Sequence, residues 1–269
     1  MPDQRRKPEE NVESLRSSAL RRRYVGPDIA VVARLLADKT RVTMISALVG
    51  DEPMSASQLA RIAGVSRATA SEHLGQLVQR RLLSVERRGR HAYYRLASAD
   101  VATILEALAA LAPIPSPNSL RTARQLDELN EARICYDHLA GRLGVALADA
   151  LLAQGLIYVD GDSLSVDRFR WDEFAPLGVR CGDVPKTGRP LVRPCLDWSE
   201  RRYHLAGTLA SMLTAELLDR GWIVRPRLGD RIVRVTEEGA RRLYESLGVD
   251  PDAEPFGPDR AASSENDWR

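Results

Sequence analysis

Residues 57–96 read SQLARIAGVSRATASEHLGQLVQRRLLSVERRGRHAYYRL, and the fold is decided by how this string divides. Its first segment is a short helix carrying Leu59, Ala60 and Ile62, which Ser55 or Ser57 can cap. Gly64 then ends that helix, because glycine accepts the left-handed backbone that follows a last helical turn. Val65 plugs the core and Ser66 caps a second helix. Ala70, Leu74, Leu77 and Val78 fall on the inner face of that helix at helical spacing. Arg67, Thr69, Ser71, Glu72 and His73 are left outward, with Ala68 keeping the helix start slim. After Leu82 the period changes to two around Arg88-Gly89-Arg90, the signature of a β-hairpin.

Working outward, residues 28–36 form a helix with Ile29, Val32, Leu35 and Leu36 on one face. A second helix over 39–50 opens on Lys39, Thr40 and Arg41 and turns Val42, Ile45 and Leu48 inward. Beyond the hairpin, residues 98–110 form an apolar helix with Val101, Ile104, Leu105, Leu108 and Leu111, a natural dimer seam together with the first helix. The charge is as informative as the pattern. From Ser55 to Arg95 the chain carries eight arginines and only two acids, Glu72 and Glu86. That surplus is the electrostatic footprint of a polyanion partner. The small, hydrogen-bonding residues suit entry of a recognition helix into a major groove. The candidate DNA contacts are therefore Thr40, Arg41, Ser66, Arg67, Ala68, Thr69, Ser71, Glu72 and His73. The hairpin tip adds Arg87, Arg88, Arg90, His91 and Tyr93, placed for phosphate or minor-groove contact. The competing reading is a winged helix used only for protein contacts, which gains nothing from arginines concentrated at the wing.

The helix order, the Gly-Val-Ser turn, the recognition-helix pattern and the RRGR wing resemble the ArsR/SmtB family of winged-helix repressors across residues 28–110. The resemblance implies a homodimer on double-stranded DNA with an inverted-repeat operator, blocking transcription until a signal releases it. It also implies two possible metal sites, and this sequence departs from both. The helix before the recognition helix, SQLARIA, has no thiol, and VATILEALAALA offers only Glu106 at the seam. Metal sensing at either place is not expected.

A Pro/Ser stretch, APIPSPNS (112–119), reads as a linker to a second domain over 120–250. Within that domain HLAGRLGVALADALLAQGLI (138–157) aligns without gaps on HLAGTLASMLTAELLDRGWI (204–223). Each copy continues through extended residues and a turn (Asp160-Gly161-Asp162; Gly229-Asp230) to a closing Leu-Gly-Val. Repeats over 135–179 and 201–249 are expected, each a helix, hairpin and helix, paired about a pseudo-twofold axis. The fold class is mainly α with small β-hairpins (α+β): a winged helix-turn-helix domain over 26–111, then a tandem helix-hairpin-helix domain.

The repeat domain offers a pool of soft ligands. ARICYDHLAG sets Cys135 and His138 at i, i+3 on one helical face, and RPCLDWSERRYHLAG supplies Cys195 and His204. Together they form a candidate site for zinc or another thiophilic metal, which Cys181 could join. The plain alternatives stay open. The two histidines occupy equivalent repeat positions and can serve as packing at helix starts. Asp197 and Glu200 resemble a capping box for a helix from Trp198. A small-molecule pocket lined by Trp198, Trp222 and Tyr203, or a dimer-extending role, would account for the domain equally well.

Composition bounds the rest. Three scattered cysteines suggest no disulfide framework. No run approaches the ~20 apolar residues of a membrane span. The first 25 residues are polar and basic, unlike a leader, and read as a disordered tail, as do residues 251–269. The expected location is cytoplasmic, on the nucleoid. No phosphate loop, Gly-x-Ser-x-Gly elbow or Gly-x-Gly-x-x-Gly turn is present, so an enzyme is not expected.

Overall fold

The computed structural model describes residues 26–50, 52–114, 116–161, 163–186, 188–227 and 230–251. The basic tail expected over 1–25 lies outside them, as do the second tail beyond Pro251 and the turn residues Asp162 and Gly229. Helix α1 (Ile29–Leu36) leads into α2 (Lys39–Ala47), capped by the Asp38 carboxylate accepting from Arg41 N–H at 2.8 Å. Strand β1 (Met54–Ser55) precedes α3 (Ala56–Ala63), which Ser55 and Gln58 start with a reciprocal capping box. Gly64 ends α3 at φ +67°. Helix α4 (Arg67–Gln79) opens on Ser66, whose hydroxyl accepts from Thr69 N–H at 3.1 Å. Strands β2 (Leu83–Arg88) and β3 (His91–Leu96) form the hairpin, and β1 joins it in the order β1-β3-β2. Helix α5 (Ala99–Leu111) follows.

Met44, Ile45, Leu48, Leu59, Ala70, Leu74 and Leu77 make the first core. Val42, expected to face inward, is instead on the solvent side. The cause is the face chosen by its neighbours. At about 100° per residue, Val42 sits roughly opposite Met44, once that residue is buried.

Helix α6 (Leu120–Glu131) begins the second part of the chain. Two strand pairs bear its signature residues: β4 (Arg133–Cys135) with β5 (His138–Ala140), and later β8 (Arg193–Leu196) with β9 (Tyr203–Ala206). Each pair feeds a helix, α7 (Arg142–Ala153) and α8 (Thr208–Asp219). Short hairpins follow, β6 (Ile157–Asp160) with β7 (Ser163–Val166), and β10 (Ile223–Val224) with β11 (Arg234–Val235). The first copy closes on a 3-10 stretch, Arg168–Leu177, and the second on α9 (Glu237–Leu247). Helix α7 packs against β9 and α8 against β5, so each copy covers the other's hairpin. Leu143, Leu147, Leu151, Phe174, Leu209, Leu213 and Trp222 fill the common core.

Two expectations are corrected here. Cys135 and His138 are not on a helix: the chain reverses at Tyr136, held at φ +62°, and the two residues face each other across a hairpin. No helix starts at Trp198 either. Asp197 does accept from the N–H groups of Ser199 and Glu200, but Arg201 at φ +57° turns the chain back into β9 after one turn.

Gly141 and Gly207 make both hairpin-to-helix junctions possible. They adopt φ +80° and +103°, and a Cβ would stand 2.6 Å from Asn130 O and 2.7 Å from Leu191 O. Gly141→Ala and Gly207→Ala are each expected to lower stability by at least ~1–2 kcal/mol, the left-handed penalty alone. Thermal unfolding measures this, and an unshifted midpoint would remove the junction argument.

Candidate nucleic-acid interface and a buried Cys/His cluster

The outer face of α4 presents Ser66, Arg67, Ala68, Thr69, Ser71 and Glu72 to solvent, while Ala70, Leu74 and Leu77 lock the helix from beneath. Arg87, Arg88, Arg90 and His91 are exposed on the wing. Tyr93 is half-buried beneath Arg88, whose guanidinium lies 5.7 Å from the ring centre. The Arg88 charge is partly spent already, because Glu86 accepts two hydrogen bonds from it at 2.9 and 3.0 Å.

Arg41 is committed to the protein. It donates to Leu35 O at 2.7 Å, Arg34 O at 3.1 Å and Gln76 Oε1 at 3.1 Å, and meets His73 Nδ1 at 3.2 Å. Arg41 and His73, both expected at the groove, also meet each other and tie α4 to the end of α1. Thr40 lies half-buried beside them.

Residues 36–86 match the helix-turn-helix domain family. The chain is 37% identical over 226 residues to the uncharacterized HTH-type transcriptional regulator YdfF of Bacillus subtilis (strain 168), covering 84% of this chain and 99% of that one. The chain belongs to the HTH-type transcriptional regulators. Similar solved structures include NolR from Sinorhizobium fredii, 28% identical over 40% of this chain and 96% of that one, TM-score 0.29. Another is the transcriptional repressor BigR from Xylella fastidiosa, 21% identical over 40% and 100%, TM-score 0.30.

The second notable constellation of this regulator is inside the repeat domain. Cys135, His138, Cys195 and His204 are all buried, and their ligand atoms lie within 4.8 Å of one another. Hairpin register brings them together: Cys135 is the cross-strand partner of His138, and Cys195 of His204. Cross-strand partners put their side chains on one face of a sheet. The two sulfurs are 4.0 Å apart and the two Nε2 atoms 3.2 Å apart. Each imidazole turns Nδ1 to an aspartate, His138 to Asp137 at 3.2 Å and His204 to Asp197 at 3.1 Å. The His204 contact has ion-pair distance without hydrogen-bond geometry. Cys181 is exposed and stands outside the cluster. Trp222 is core and Trp198 stacks on Arg133 at 4.2 Å.

Asp197 organises the surroundings. One oxygen accepts from Arg133 Nη2 at 2.8 Å and from Ser199 Oγ at 2.7 Å; the other accepts from Gly141 N–H at 2.7 Å. Burial alone would raise its pKa, but His204, Arg133 and Ser199 hold it well below the usual carboxylate range. Asp137 is likewise held low, against burial, by Arg189 and His138. Contact with Cys195 and burial push the Cys135 thiol up to about 12. Burial opposes the His204 charge, yet Asp197 and Cys135 outweigh it and raise that group to about 9.

The aspartates and Arg133 escaped the sequence reading although a signal was present. Arg-x-Cys-x-Asp occurs twice, at 133–137 and 193–197, each time ahead of His-Leu-Ala-Gly. The separation of Asp from His is one residue in the first copy (137 to 138) and seven in the second (197 to 204). This six-residue insertion hides the equivalence. Asp197→Ala leaves the buried Arg133 charge without its counter-ion and is expected to cost about 3–5 kcal/mol. Arg133→Met combined with Asp197→Leu should recover much of that loss in denaturant unfolding. A double variant no better than the single one would show that the carboxylate's backbone contacts, rather than the ion pair, carry the stability.

Proposed function

We propose that this regulator is a homodimeric repressor that binds an inverted-repeat operator and is released by a signal received in its second domain. In this reading residues 26–111 form the DNA-binding domain, 112–119 a linker and 120–250 a sensor built from two copies of one helix-and-hairpin unit. Each protomer lays the exposed face of α4 in a major groove, and its wing arginines hold the phosphates. Ser66, Arg67, Thr69, Ser71 and Glu72 face the bases, with Ala68 admitting close approach. Arg41 and His73 position α4 and do not touch DNA.

The observation that carries the dimer is the outer stripe of α5. Ile104, Leu108 and Leu111, at i, i+4 and i+7, are 52%, 45% and 83% exposed. Val101, Ala102, Glu106 and Ala110 of the same helix are buried. A helix so apolar on its outer face is supported best by a second copy covering it. A two-fold dimer in turn calls for two half-sites of opposite orientation. A ligand that favours a dimer geometry with wrongly spaced recognition helices lowers operator affinity by population shift.

Arg87→Ala together with Arg90→Ala is expected to weaken binding to a duplex selected from random-sequence DNA. If each arginine meets one phosphate, the slope of log K against log salt falls by about 2. Glu86→Gln should act in the opposite direction by releasing Arg88. Unchanged binding in both variants would leave the wing to protein contacts.

Leu108→Asp together with Leu111→Asp should convert the dimer to monomer in sedimentation equilibrium and reduce operator affinity with it. A dimer that persists would exclude α5 as the seam.

A further inference from the structure

We propose that Cys135, His138, Cys195 and His204 form a closed tetrahedral site for one divalent thiophilic ion of the zinc class, stapling the two hairpins of the second domain together. The inference deepens the signal-receiving role proposed above and rests on that reading only for its regulatory consequence.

Ligand spacing is the first argument. Bonds of about 2.3 Å to sulfur and about 2.0–2.1 Å to nitrogen at the tetrahedral angle imply edges of about 3.8 Å between sulfurs and about 3.3 Å between nitrogens. The corresponding separations here are 4.0 Å and 3.2 Å. Both edges match one ion, and the four sulfur–nitrogen edges, all within 4.8 Å, need only draw in around it.

The donors are also oriented for it. With Nδ1 of each histidine beside an aspartate, both Nε2 atoms face each other and, once His204 gives up its proton, present lone pairs to the same spot. Carboxylates behind histidine ligands are the usual outer partners that fix the ring and raise its basicity. Two facing lone pairs repel unless a proton or a cation lies between them. A shared proton would serve the histidines alone, whereas a soft cation also serves the two sulfurs converging on the same spot.

Charge closes in the same way. Asp197 is matched by Arg133 and Asp137 by Arg189. With both imidazoles neutral, the four ligands then bring no unmatched charge of their own. On binding, each thiol and the charged His204 release a proton to solvent, so two thiolates cancel one divalent ion. A monovalent ion would leave a buried negative charge, which disfavours it.

Each copy supplies one cysteine and one histidine, so the ion cross-links the repeats. Access is uneven: the Asp197 side chain is 0% exposed, whereas those of Asp137 and Arg189 are 16% and 27% exposed. The Asp137 side is the route by which an ion enters and leaves.

The test uses the full chain purified under reductant without oxygen. Elemental analysis should find about one zinc-class ion per chain. Chelator-stripped protein titrated with cobalt(II) should develop the intense visible bands of a tetrahedral site and the near-ultraviolet band of sulfur ligation. Cys135→Ser and Cys195→Ser should each weaken the sulfur band, while Cys181→Ser leaves it intact. Metal-free protein whose stripped wild-type form shows only the pale spectrum of hydrated cobalt would overturn the site, whatever the variants do. So would quantitative formation of a Cys135–Cys195 disulfide with no metal uptake. The regulatory reading is separated by measuring duplex binding of the stripped and reloaded protein. A change of about 5–150-fold places the ion in signalling. An ion bound with equal duplex affinity supports the site and removes its role as the signal.

Discussion

The second domain depends on one buried ion pair. Arg133 and Asp197 are both completely enclosed, 2.8 Å apart, and each belongs to a different copy of the repeat. Desolvating two charges costs several kcal/mol per ion, and the pair repays that only when further hydrogen bonds complete it. Here they do. Asp197 also accepts from Ser199, Glu200 and the Gly141 N–H that opens α7, while Arg133 lies against the Trp198 ring. Removing the carboxylate therefore unsettles three things together: the start of α7, the turn before β9 and the orientation of His204. The position of both cysteine-bearing strands follows from that one contact.

The same strands reach the winged helix through α5. Arg231 donates to Ile134 O, next to Cys135, and to the buried Glu106 of α5. Arg193, two residues before Cys195, meets Thr103 of α5 at 3.2 Å, and Arg201 reaches Ala110 O. Tyr136, in the strained turn between Cys135 and His138, packs against the first core, as does Leu105. Glu106 is thus the anchor of an ion pair between α5 and Arg231. The proposed dimer stripe, Ile104, Leu108 and Leu111, is on the opposite side of this same helix. An element with a partner on each side couples two sites when it has two arrangements that both partners bias.

How much of this was legible depended on whether the signal was local. Ser55, Gly64 and Ser66 act through their immediate neighbours, so the caps of α3 and α4 could be read residue by residue, as could the inner face Ala70, Leu74 and Leu77. The four soft ligands could be pooled because cysteine and histidine are chemically conspicuous. Their setting could not be read. Cys135 and His138 at i, i+3 fit one face of a helix as well as a tight hairpin, and only Tyr136 at positive φ decides between them. The long-range partners were also hidden. Arg41 looks like a groove contact until His73 and Gln76, more than thirty residues away, are placed beside it.

The two copies are not equivalent, and the difference lies in the insertion. In the first copy the aspartate adjoins its histidine, and the side chain of Asp137 reaches Arg189 at a partly exposed edge. In the second, six additional residues fold back over Asp197 and supply Ser199, Glu200 and the stacking Trp198. Otherwise like half-sites are thereby divided into a sealed half that fixes geometry and a half that meets solvent. A symmetric pair would have had to be sealed on both sides, closing the cluster to exchange, or open on both sides, leaving Arg133 hydrated and the hairpins loosely joined. The insertion separates these demands at the aspartates, sealing Asp197 while leaving Asp137 16% exposed, with all four cluster residues buried. The half carrying Asp137 is also the one whose turn residue, Tyr136, packs against the first core.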